Sequence, residues 1–247
     1  MSVQNRCGLV VTGALVMTTM SGCFLWPFGG GGDSETKIAT DAASEFRENH
    51  MAPKEALFRQ AVEIHDEGDL EQAIQIYKQA LKVNKKHAPT HANLALAYMQ
   101  MGERDDAIKS YKKAIEYGTQ DEDATYNLGV LYMEKEKWGD AVKTFERAIG
   151  MYPDDQEIHT ALGNALVKRK KYDEAIASYQ AAIRINPKAA QPYYNLALVN
   201  VKMKDVDISQ VIKNFKMYVK NAPENAQDIG LVTGWIEQLG GTTDGME

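Results

Sequence analysis

From Lys54 to Asn225 the apolar and polar positions of this chain repeat with one fixed spacing. Ala73-x-x-x-Tyr77-x-x-Ala80 returns as Ala107-x-x-x-Tyr111-x-x-Ala114, Ala141-x-x-x-Phe145-x-x-Ala148 and Ala175-x-x-x-Tyr179-x-x-Ala182, each 34 residues after the last. Steps of three and four residues put the marked positions on one face of a helix. A second mark precedes the later copies: Leu94-Ala95-x-x-Tyr98, Leu128-Gly129-x-x-Tyr132, Leu162-Gly163-x-x-Leu166 and Leu196-Ala197. Each copy therefore predicts two helices. A period of this length predicts a stack of helix pairs in which every pair buries its apolar face against the next. The copies run Lys54–His87, Ala88–Asp121, Glu122–Asp155, Gln156–Ala189 and Ala190–Asn225.

The residue types explain why a pair closes. Small residues at the eighth and twentieth positions, such as Gly129 with Ala141 and Gly163 with Ala175, let two backbones approach, and leucine and tyrosine fill the remaining volume. Gly68 and Gly102 mark the turn between helices in the first two copies. The third and fourth place Glu136 and Lys170 there, where a positive φ without glycine carries a cost. Pro153, Pro187 and Pro223 follow the second helices and stop them from continuing. The fifth copy fits only with two extra residues around Lys204–Ser209, and Val211 and Tyr218 replace its alanines, which predicts a more widely splayed pair. Residues 226–241, with Ile229, Val232, Ile236 and Leu239 at helical spacing, read as a capping helix that Gly240-Gly241 ends. In 34–53, Ile38, Ala42 and Phe46 predict a short amphipathic helix before the array.

These motifs resemble the tetratricopeptide (TPR) repeat. The resemblance implies an all-α fold, a right-handed α-α superhelix of five repeats plus the C-terminal cap, with the first helix of each repeat lining a concave wall. On that wall the ninth positions are Val62, Leu96, Val130, Asn164 and Leu198. One turn further along come His65, Met99, Met133, Val167 and Val201, and Phe58, Tyr126 and Tyr194 extend the stripe the other way. The expectation is an exposed apolar band, a feature that marks a binding site when large. Asn93, Asn127 and Asn195 recur at the sixth position, where equivalent asparagines of some TPR proteins bond the backbone of an extended peptide. Tyr126, Tyr194 and the methionines also fit a second role as packing between successive first helices. Apart from Arg59, and Lys168 and Lys202 at its lower edge, the wall lacks the basic residues of a carboxylate clamp.

The first residues belong to a different kind of sequence. One basic residue, Arg6, precedes an apolar stretch from Cys7 to Met20, shorter than the ~20 residues of a spanning helix. Met20-Ser21-Gly22-Cys23 resembles a bacterial lipobox. The resemblance implies removal of residues 1–22 as a signal peptide and lipidation of Cys23, whose acyl chains would anchor the protein to a membrane. Residues 23–33 then form the anchor and tether: Phe24-Leu25-Trp26-Pro27-Phe28 suits a bilayer interface, and Gly29-Gly30-Gly31-Gly32 is a flexible linker. A residue other than aspartate after the lipidated cysteine implies the outer membrane, facing the periplasm. Residues 242–247 form a tail.

Composition narrows function by exclusion. With 28 basic and 34 acidic residues the net charge is −6 and no lysine or arginine run forms a nucleic-acid stripe, so nucleic acid is not an expected partner. The two cysteines, Cys7 and Cys23, precede the repeats, so no disulfide holds the array together. His87 and His91 lie four apart, but Pro89 between them at a repeat junction breaks the helix a two-histidine metal pair needs. No nucleophile elbow occurs, and Asp105-Asp106 and Asp154-Asp155 fall at helix starts, where carboxylates favour the helix dipole. No catalytic residue, metal or cofactor is expected. A lipid-anchored TPR array of this length resembles the pilotins of type IV pili, which help an outer-membrane secretin localise and assemble. That resemblance implies a non-enzymatic scaffold holding a helix or peptide of a partner, the secretin, in its groove. The alternatives are an adaptor for cell-wall or outer-membrane-protein assembly, an accessory to an envelope enzyme, or a structural spacer.

Overall fold

A computed structural model describes residues 53–242 except 120 and 224. The expected signal peptide, Cys23, the tether, the 34–53 helix and the tail beyond Thr242 lie outside the described residues. Among the described residues every regular element is an α-helix. Five pairs follow one another: α1 (Pro53–Asp66) with α2 (Leu70–Val83), α3 (Ala88–Gln100) with α4 (Arg104–Glu116), α5 (Glu122–Glu134) with α6 (Trp138–Met151), α7 (Gln156–Lys168) with α8 (Tyr172–Ile185), and α9 (Ala190–Asn200) with α10 (Ile208–Asn221). α11 (Ile229–Gln238) follows the last. The chain divides into two compact units, one ending at Asp121 and containing α1–α4, the other beginning at Glu122 and containing α5–α11.

In both units the closing contacts come from the repeated motif. Ala73, Tyr77 and Ala80 of α2, and Ala107, Tyr111 and Ala114 of α4, are buried, as are their counterparts on α6 and α8. A Cβ added at Gly129 would meet the Phe145 ring at 2.5 Å, and one at Gly163 would strike the ring of Tyr179. The helix crossing of these two pairs therefore needs hydrogen at the eighth position. At the turns the backbone is left-handed in all four pairs where the sequence places one: φ is 91° at Gly68, 79° at Gly102, 55° at Glu136 and 61° at Lys170. Side chains also fix several helix starts, since the carboxylates of Asp69, Asp155 and Asp207 accept from backbone amides of the first turns of α2, α7 and α10.

The fifth pair corrects one expectation. α9 and α10 pack as closely as the other pairs, without splay. Ala197 at the eighth position shares one buried cluster with Val211, Phe215 and Tyr218, so the small residue on one helix leaves room for the larger ones on the other. α11 seals this cluster with Val232 and Ile236. The Phe215 and Trp235 rings lie 5.6 Å apart, and the Tyr218 hydroxyl donates to the Asp228 carboxylate at the start of α11.

Candidate functional site

Within each unit, the first helices of successive pairs lie against one another: α1 with α3, α5 with α7, and α7 with α9. Among the described residues, successive second helices do not approach to the same extent. First helices therefore form the closely spaced inner wall of each unit and second helices its opened outer side.

In the C-terminal unit the wall is built from α5, α7 and α9. Tyr126, Met133 and Val167 are half-buried and pack on the cluster formed by α6, α7 and α8 with Val130 of α5 and Leu196 and Val199 of α9. Tyr194 and Leu198 are half-buried on the next cluster, with the Tyr194 ring 6.1 Å from Phe215 and 5.1 Å from Tyr218. Each of these five side chains has core behind it and solvent in front. In the N-terminal unit Phe58 and Met99 have the same half-buried standing, and the Phe58 ring stands 5.2 Å from His87 and 6.4 Å from Tyr77.

The ninth positions are mostly inside the fold, contrary to expectation. Leu96 is 5% exposed, Val130 8% and Val62 9%, and Val130 belongs to the core cluster itself. Periodicity identified the face correctly, but neighbouring first helices approach closely enough to close over its centre. Glutamate at Leu96 or Val130 would bury a carboxylate and unfold the repeat. Only Leu198, together with Asn164, stays partly open at this position.

The asparagines are also recast. Asn93, Asn127 and Asn195 are buried. Asn164 Oδ1 accepts from the Tyr179 hydroxyl at 2.8 Å and from Asn195 Nδ2 at 2.9 Å, and Asn195 Oδ1 accepts from Gln191 Nε2 at 2.9 Å. Asn195 thus braces the wall from behind, and buried Asn93, Asn127 and Asn195 do not project from it to meet a peptide backbone; Asn164, partly open, is tied to both neighbours. Burial raises the Tyr179 hydroxyl pKa far above its ordinary value, which keeps it a neutral donor.

A staple that the sequence reading missed recurs at the fourth position. His91 Nε2 donates to the Lys85 carbonyl at 2.9 Å, His159 Nε2 to Pro153 at 2.9 Å, and the Tyr193 hydroxyl to Pro187 at 3.2 Å. In each case the acceptor lies six residues earlier, in the loop that enters the helix. A ring N–H or phenol at a constant offset from that loop was the available signal. His65 serves similarly inside the N-terminal unit, its Nε2 2.9 Å from Gln100 Oε1. The described histidines are thus used in packing, and no group of three or more His, Cys, Asp or Glu among the described residues is placed to hold a metal.

Three models of the tetratricopeptide repeat match the chain, over residues 65–109, 92–155 and 163–204, which together span more than half of it. This is a tetratricopeptide-repeat protein. All three models describe the TPR repeat and none a catalytic domain, so what the family establishes is a protein-interaction scaffold. Among solved structures this TPR chain is similar to MamA, at 27% identity over 65% of this chain and 93% of that one, with a TM-score of 0.61. It is similar in fold to YrrB, a TPR protein with an unusual peptide-binding site, at 20% identity, 78% and 95% coverage and a TM-score of 0.64. The same holds for pilF of Pseudomonas aeruginosa, at 19% identity, 75% and 83% coverage and a TM-score of 0.61. These likenesses give the all-α TPR solenoid as the fold. No curated protein sequence matches the chain.

Proposed function

We propose that this TPR protein is a non-enzymatic adaptor of the bacterial envelope that holds an apolar segment of a partner protein against the inner wall of its C-terminal unit, in the manner of a pilotin acting on a secretin. One observation carries the reading: Tyr126, Met133, Val167, Tyr194 and Leu198 are half-buried apolar side chains on three adjacent first helices. Each is already held by the core, so a partner helix or strand covers the open half at little further entropy cost. Phe58 and Met99 offer a second, smaller surface of the same kind in the N-terminal unit. That YrrB is a peptide-binding TPR protein, and that pilF shares the fold, supports this reading.

The lipobox resemblance supplies the location. Lipidation at Cys23 would anchor the repeats to the outer membrane through the tether expected at 23–33, with the protein facing the periplasm.

The test is photo-crosslinking in the source cells, with p-benzoylphenylalanine placed at Met133 or Leu198 and, as control, at exposed Lys143 on α6. A secretin crosslinked from the two wall positions but not from Lys143, and lost with Cys23→Ser, is the expected result. Wall enzymes or barrel-assembly subunits captured instead would replace the pilotin reading with the adaptor one. Equal yields from all three positions would remove the wall as a site.

A further inference from the structure

The outer side of the N-terminal unit carries a feature that the inner-wall reading does not use. Between α2 and α4 runs an open groove of about 350 Å³, floored by Leu81, His91, Leu94 and Tyr98. Its rims are basic. Lys78 and Lys82 stand one turn apart on α2, Lys85 follows that helix, and Lys109 and Lys113 stand one turn apart on α4. The Lys78 ammonium sits 5.3 Å from the centre of the Tyr98 ring, and Lys109 pairs with Asp106 at 2.8 Å. Lys82, Lys85 and Lys113 have no carboxylate partner among the described residues.

The repeat does not require this concentration of charge. In the third and fourth repeats the residues at the registers of Lys78, Lys82, Lys109 and Lys113 are Glu146, Gly150, Ala177 and Ala181. Five ammonium groups around one groove repel one another, and they do so in a chain whose net charge is −6. A ligand of opposite sign removes that repulsion. In the floor itself, buried His91 gives its Nε2–H to the Lys85 carbonyl and leaves Nδ1 with no hydrogen-bond partner.

We propose that this groove binds an acidic polypeptide segment that carries apolar residues among its carboxylates. Lysines on both rims, spaced by a helical turn along each, match a line of carboxylates on two sides of a bound chain and not a single point charge such as phosphate. The leucine and tyrosine floor takes an apolar side chain set between those carboxylates. A flat bilayer of anionic lipid reaches the rims and leaves the floor empty. Neither Phe58 nor Met99 lines this groove, so its occupancy can be tested separately from the inner-wall reading.

The experiment is fluorescence anisotropy with the full chain and two labelled synthetic peptides of equal charge, one of glutamates interleaved with leucine and tyrosine, the other of glutamates interleaved with serine. Flotation with phosphatidylglycerol vesicles runs beside it. The interleaved apolar peptide is expected to bind about tenfold more tightly than the serine peptide, and several-fold more weakly when salt rises from about 20 to about 200 mM. Lys82→Glu with Lys113→Glu, both exposed and so compatible with folding, is expected to weaken binding by at least about tenfold, while Lys143→Glu with Lys213→Glu in the other unit leaves it unchanged. Circular dichroism confirms that the variants stay helical. Equal binding of the two peptides, equal loss in both double variants, or attachment to vesicles alone would each overturn the proposal.

Discussion

The two units are built from the same repeat but place glycine at opposite ends of it. In the N-terminal unit glycine stands at the turns, Gly68 and Gly102, and the helix crossings use Ala61 and Ala95. In the C-terminal unit the crossings of α5 with α6 and α7 with α8 use Gly129 and Gly163, and the turns carry Glu136 and Lys170 at positive φ. The backbone is left-handed at both kinds of turn, and the eighth position is buried at both kinds of crossing. What differs is which strain each unit carries: the first has unstrained turns, and the second has crossings tight enough that a methyl group would strike Phe145 or Tyr179. A repeat family therefore fixes a geometry, and several residue choices reach it at different cost.

Substitutions that exchange the choices test this. The largest effect is expected from Val130→Glu, which puts a carboxylate into the core cluster; loss of the cooperative transition of the C-terminal unit is the outcome, whereas Leu198→Glu on the half-open wall leaves it intact. Thermal scans followed by circular dichroism distinguish the two. Next, Gly129→Ala or Gly163→Ala is expected to destabilise by about 1–3 kcal/mol because the aromatic ring must move, while the reverse change, Ala95→Gly, costs about 1 kcal/mol through helix propensity. Urea denaturation midpoints read both, and an unchanged midpoint for Gly163→Ala would show that Tyr179 relaxes freely.

Turn exchanges come third. Glu136→Gly and Lys170→Gly should each stabilise by about 0.5–1 kcal/mol, since glycine accepts the left-handed φ that glutamate and lysine resist, and Gly102→Ala should destabilise by a similar amount. The smallest expected effect is a pH dependence from His91. Burial lowers its pKa below the ordinary value near 6.5, against the hydrogen bond to the Lys85 carbonyl, which raises it, with the Lys113 ammonium acting in the direction of burial and Glu116 against it. The unfolded chain then takes up a proton that the folded one resists, so stability falls as pH drops below about 6.5. The fall in melting temperature between about pH 7.5 and about pH 5.5 should shrink in His91→Gln.

Much of this architecture was readable because the repeat states it several times over. Each alanine or aromatic position recurs, so the pairs, the turn positions and the capping helix follow from spacing alone. The centre of the candidate wall was misread for a physical reason: Leu96 and Val130 lie on the predicted face, but the distance between neighbouring first helices, which decides whether a solvent-facing row closes over, is not written in periodicity. Asn93, Asn127 and Asn195 were misread likewise, since a polar residue on an inner face satisfies a peptide and a neighbouring helix equally well. The lysine groove escaped because its residues come from two repeats and form no run in the sequence.

Asn164 Oδ1 has a consequence for how the molecule opens. One oxygen accepts hydrogen bonds from Tyr179 on α8 and Asn195 on α9, and the Pro187 carbonyl is shared in the same way by Tyr193 and Asn221 Nδ2. Fraying of the last pair therefore strips donors from the one before it. In native-state hydrogen exchange the amides of α7, α8 and α9 should protect as a single cooperative block, so that truncation after Ala189 loosens helices that the cut never touches.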